Sequence, residues 1–176
     1  MLKRSLFTVI VIAFVASMCF AQKHAAAAVK VDPAKGVHDA FDRFVEGIKQ
    51  VDAGKVMASY ANSNDLLVFN NNGTATKGWD NVNENTKQIY AKLSNVTLDI
   101  TGLTIRMVGT SAAYVTCKWK QSQENAGKLE NASGRWTLVY QLIGKDWKIV
   151  HRHTSPDSPD ATRPVFPSER LPTNGN

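Results

Sequence analysis

The chain is 176 residues long and carries 21 Lys and Arg against 15 Asp and Glu, a net charge of +6. Its basic residues are scattered and never run together, which argues against the contiguous cationic footprint of a nucleic-acid binder. Two cysteines, Cys19 and Cys117, are too few for a disulfide framework.

In chain order, the first 21 residues read as a signal peptide. Lys3 and Arg4 form a short basic start, Leu6 to Phe20 is almost unbroken apolar sequence, and Cys19-Phe20-Ala21 fits a cleavage site. The run is short for a membrane span, which needs roughly 20 apolar residues. Export to the periplasm or outside the cell follows, with no membrane contact once the leader is gone. Cleavage leaves Cys117 alone, as a buried and inert thiol. Residues 22–35 are a flexible lead-in.

The folded part is expected over 36–156. Val37, Phe41, Phe44, Val45, Ile48 and Val51 recur at helical spacing from Gly36 onward. Asp52-Ala53-Gly54 breaks that helix, and Lys55 to Tyr60 forms a short second one. Asp65 to Phe69 reads as a strand followed by the turn residues Asn70 to Gly73. A third helix opens at Gly78-Trp79-Asp80, with Asp80 as its cap. Beyond Ser94 the period changes to two. Strands are expected over 96–108, with a bulge at Gly102, then over 112–122, 134–143 and 147–154. Helices followed by a four-strand meander indicate an α+β fold with three N-terminal helices packed on a curved antiparallel sheet. Residues 157–176 form a Pro-rich tail, expected to be disordered.

Val51-Asp52-Ala53-Gly54, then LLVFNNNG, KGWDNV, GRWTLVYQ and WKIVHRHTS, taken in that order, resemble the SnoaL-like branch of the nuclear transport factor 2-like superfamily. They are also similar to the association domain of calcium/calmodulin-dependent kinase II. The resemblance implies a cystatin-like cone whose sheet curls around a cavity closed by the helices. It also implies pairing into a homodimer through the outer sheet face. Function is not implied, because the superfamily includes isomerases, dehydratases, ligand binders and assembly hubs. The ketosteroid isomerases of this fold use an aspartate just after the first strand; Asn70 stands there and cannot take a proton at neutral pH.

Strict alternation along the last strand sets Trp147, Ile149, His151 and His153 on one face. Arg135 and Thr137 share a face of the preceding strand, which antiparallel pairing brings beside the histidines. An arginine, a threonine and two histidines around a concave site suit a small anion, with Tyr60, Phe69 and Trp79 enclosing its remainder. Trp136 and Tyr140 would then face outward, as candidates for the dimer interface. His151 and His153 are the candidate catalytic residues, because imidazole is the natural base near neutral pH. The same pair also reads as hydrogen-bonded supports at the sheet end. His-x-His supplies only two metal ligands and no third has a fixed spacing, so neither metal nor cofactor is expected. Three functions stay open: a binder of a small anionic or aromatic molecule, a lyase or isomerase with a histidine base, and a non-catalytic oligomerisation domain. All site assignments depend on the parity of the last strand, which a one-residue bulge would reverse.

Overall fold

The computed structural model describes residues 32–157. The leader, most of the lead-in and the tail beyond 157 lie outside the described residues.

Helix α1, Pro33–Lys49, starts where Asp32 accepts a hydrogen bond from the Ala34 amide at 3.0 Å, with Pro33 in the first turn. Its apolar stripe buries Val37, Phe41, Phe44 and Ile48. The helix ends in a Schellman-type closure: the Asp52 amide donates to Gly47 O (2.9 Å) and the Val51 amide to Ile48 O (3.0 Å). Val51 therefore sits at φ 54°, a left-handed position usually given to glycine. Asp52 then caps helix α2, Ala53–Ala58, through the Lys55 amide at 2.9 Å.

Strand β1, Leu67–Phe69, and strand β2, Ala75–Lys77, make a small hairpin before helix α3, Trp79–Tyr90. Gly78 occupies the cap position with no side-chain bond, so the cap expected of Asp80 is not made. Strands β3, Leu93–Val108, β4, Ala112–Asn125, β5, Lys128–Ile143, and β6, Asp146–Pro156, follow as a meander. The register slips between Thr101 and Thr104, where Gly102 has φ 62°, as expected of a bulge.

The sheet order is β2-β1-β6-β5-β4-β3. It is mixed rather than purely antiparallel. β1 runs parallel to β6, with Leu67 opposite His151 and Phe69 opposite His153. The sequence hides this pairing because β1 has only three residues and lies far from its partner in the chain. One face of the sheet packs under the helices. Leu138, Tyr140 and Ile149 meet Phe41 and Phe44 there, all fully buried. Burial at 25 cal/mol per Å² makes this single apolar cluster the main source of stability.

Candidate functional site

The last strand settles which side chains face the helices. On β6, Tyr140 lies opposite Ile149, but Val139 lies opposite His151, so Val150 is one residue too many on its strand. The cause is a change of partner. The Ile149 amide donates to Ser59 O at 2.8 Å and the Ala61 amide donates to Ile149 O at 2.9 Å, while from His151 onward the strand pairs with β1. The bulge reverses the parity. Trp147 and Ile149 point inward, and so do Arg152 and Thr154, whereas His151 and His153 point outward.

The expected site is therefore split. Phe69, Arg135, Thr137, His151 and His153 do come together, but on the face of the sheet away from the helices. Phe69 stands between the two imidazoles, each 5.4 Å away and nearly perpendicular to its ring. Thr137 pairs with His153, and Arg135 leans on Pro156 O at 3.4 Å. Tyr60 is inside, in the core. Trp79 anchors α3 to α2, its indole N–H donating to Met57 O at 3.4 Å. Trp136 and Tyr140 are buried beneath the helices, which corrects their expected outward placement. Cys117 is buried as expected, and burial raises its thiol to about 11.

The concave side holds a cavity of about 660 Å³ whose floor includes Trp119, Trp136, Tyr90, Arg152 and Thr154. The two indoles stack with centroids 5.6 Å apart and 22° between planes. Gly134 makes room for this, since a Cβ there would meet Trp119 at 3.0 Å and the Ser155 carbonyl closer still. Arg152 enters from β6 with its guanidinium carbon 5.8 Å from the centre of the Tyr60 ring.

Four buried polar atoms are unpaired among the described residues, two of them on residues that line this cavity, Arg152 and Trp119, and two on core tyrosines. Arg152 Nε, Trp119 Nε1 and the hydroxyls of Tyr60 and Tyr140 are buried and have no hydrogen-bond partner among the described residues. Such groups are costly to bury unsatisfied, and buried polar atoms are nearly always paired. Burial pushes the Tyr60 phenol up, with Arg152 pulling it partly back. Tyr90 and Tyr140 are also pushed up, first by burial and then by the nearby Tyr60. These phenols are neutral donors at any physiological pH.

The acidic residue lining this cavity is Glu130, whose carboxylate accepts from Gln123 at 3.1 Å and from Asn125 at 3.2 Å. A second cavity, of about 870 Å³, opens beside the first between α3 and the β1–β2 hairpin and shares Asn71, Ile89 and Arg152 with it. A third hollow, of about 830 Å³, lies between α1, α2 and the start of β6. It is lined by charges of both signs, and its Lys148 is already bound to Ala58 O at 2.8 Å. Among the described residues, no three His, Cys, Asp or Glu side chains gather as metal ligands.

Residues 37–159 match the model of the SnoaL-like domain. The chain belongs to the SnoaL-like family. The SnoaL-like chain also resembles a nuclear transport factor 2-like superfamily protein from Salmonella enterica serovar Typhimurium, at 20% identity and a TM-score of 0.67, covering 76% of this chain and 97% of that one. It resembles a ketosteroid isomerase-like protein from Erwinia carotovora at 16% identity and a TM-score of 0.62, covering 73% and 99%. A cystatin-like protein of unknown function from Nostoc punctiforme matches at 14% identity and a TM-score of 0.56, covering 70% and 90%. At these identities the likeness shows the fold alone. Among curated proteins none matches the chain.

Arg152, Thr154, Trp119 and Tyr90 were not legible as site residues. The signal available was the adjacent apolar pair Ile149-Val150 just before His151, which interrupts strict alternation and marks a place for a bulge.

Proposed function

We propose that this SnoaL-like protein is exported and binds a small organic anion in its cone cavity. Arg152 holds the anionic end, and Trp119, Trp136 and Tyr90 enclose an aromatic or apolar body. One observation carries this reading: two residues lining one hollow, Arg152 and Trp119, each bury an N–H, Nε and Nε1, without a partner among the described residues. A carboxylate is acceptor-only and suits the unpartnered N–H donors of Arg152 and Trp119. Export rests on the basic start and apolar run of residues 3–20.

Binding is favoured over catalysis by a histidine base because, among the described residues, no histidine lines either cavity. His151 and His153 face away from the cavity, and the Glu130 carboxylate is occupied by Gln123 and Asn125.

Trp119 and Trp136 make the test direct. Titration with salicylate, followed by tryptophan fluorescence, is expected to show saturable quenching. Arg152→Met should weaken it by about tenfold or more, the scale of one lost charge-assisted bond. Equal affinity in that variant, or no saturable signal with salicylate and other aromatic carboxylates, would overturn the reading.

A further inference from the structure

The two cavities that meet at Arg152 differ in chemistry. The first has the aromatic rings of Trp119, Trp136 and Tyr90 in a lining that is otherwise mixed, with Lys128, Glu130 and carboxamides beside Leu93. The second presents Asn70, Asn71, Asn85, Thr76, Thr86 and Gln88, a lining of carboxamides and hydroxyls. Its only charged lining residues are Arg152 and Lys92, both cationic.

Carboxamides both donate and accept, as hydroxyl groups do, so a surface built from them pairs with a polyhydroxylated ring without burying charge. Part of this surface is already ordered. Asn70 Nδ2 donates to Thr74 Oγ1 and Thr76 Oγ1, each at 3.1 Å, which leaves its carbonyl oxygen available. Asn71 makes no side-chain bond among the described residues and touches both cavities. Val82 and Ile89 add an apolar patch in the same arm, suited to the C–H face of a sugar ring. A purely apolar group in this arm would strand its amides.

Resting on the reading above, we infer that the ligand has two parts around its anionic group. An aromatic ring fills the tryptophan arm, a hydroxylated, sugar-like substituent fills the asparagine arm, and the carboxylate lies between them on Arg152. The class is a glycosylated or similarly hydroxylated aromatic acid.

Salicylate and salicylate 2-O-β-glucoside separate the two claims, because they share the ring and its carboxylate and differ only in the sugar on the neighbouring ring oxygen. Fluorescence titration of the purified protein is expected to show the glucoside binding about tenfold tighter than salicylate. In Asn85→Ala, and separately in Asn71→Ala, the ratio of the two affinities should collapse toward one. If the glucoside binds no tighter, or keeps its advantage in both variants, the two-arm inference fails while the anion cavity stands. If neither probe binds, both fail. If salicylate binds and the glucoside is excluded, the asparagine arm is closed to sugars and the inference fails.

Discussion

Arg152 and Tyr60 meet face on, the guanidinium carbon 5.8 Å from the ring centre, and among the described residues neither Arg152 Nε nor the Tyr60 hydroxyl has a hydrogen-bond partner. A cation over an aromatic face gains about 0.5–2 kcal/mol. That is less than the several kcal/mol lost on taking a charge out of water. The pair is kept at a cost to stability, as binding sites commonly are. Arg152→Met is therefore expected to stabilise the empty protein, by about 1 kcal/mol, while weakening anion binding by the tenfold or more given above. Urea unfolding without ligand checks this; a variant less stable than the parent would show that the arginine is structural.

The histidine pair leads to the opposite expectation. His151 and His153 pack edge-on against Phe69 on the outer face, where His153 is exposed. Alanine at either position removes an aromatic contact of about 0.5–1.5 kcal/mol. Cavity affinity for salicylate should be unchanged in both variants. A loss of affinity in His153→Ala without unfolding would mean that the outer face contributes to binding.

Of the glycines among the described residues, Gly134 leaves the least room for a side chain. A methyl group there strikes the Ser155 carbonyl and the rim of Trp119. Gly134→Ala is expected to cost about 2–3 kcal/mol, in the range of overpacked cores, and to change tryptophan fluorescence by moving Trp119 off Trp136. Chemical denaturation and the emission spectrum read both effects. A neutral substitution would show that β5 and β6 separate easily.

Alkaline stability follows from the buried acids. The Cys117 thiol is raised by burial from 9.0 to about 11, and the phenols of Tyr60, Tyr90 and Tyr140 are raised as well. A raised folded pKa stabilises fully below the unfolded value. Above it, the unfolded chain ionises first and the advantage fades. Stability should hold to about pH 9 and fall beyond it, first with Cys117 and then, above pH 10, with the tyrosines. Cys117→Ala should delay the onset by removing the first step. In the folded protein Cys117 should also resist alkylation at pH 8, since the thiolate is the reactive form.

How far the sequence could be read depended on the kind of signal. The stripe of Phe41, Phe44 and Ile48 and the alternation of Val115, Cys117 and Trp119 each repeat several times, so one irregular residue does not hide them. The family phrases likewise survive small shifts. The site depended on a single parity at the end of one strand. Tyr60 is legible as an inward residue because it ends the short second helix expected over Lys55 to Tyr60, one of the elements that close the cone in the family, and it is buried in the core. Arg152 was placed outside because period-two counting has no memory of a partner change, and the bulge at Val150 arises from hydrogen bonds to Ser59 and Ala61 far away in the chain. The short β1 was assigned a strand, but its parallel partner could not be seen, since three residues carry no record of which neighbour they will join.

The bulge at Val150 gives the final strand two latent interiors. Buckled, it turns arginine and threonine toward the helices; drawn straight, the same letters would turn two imidazoles inward. Within such a lineage, the chemistry of the hollow can change by a kink gained or lost, with every side chain left as it was. Comparing relatives by aligned letters alone would then equate pockets that are lined by different groups.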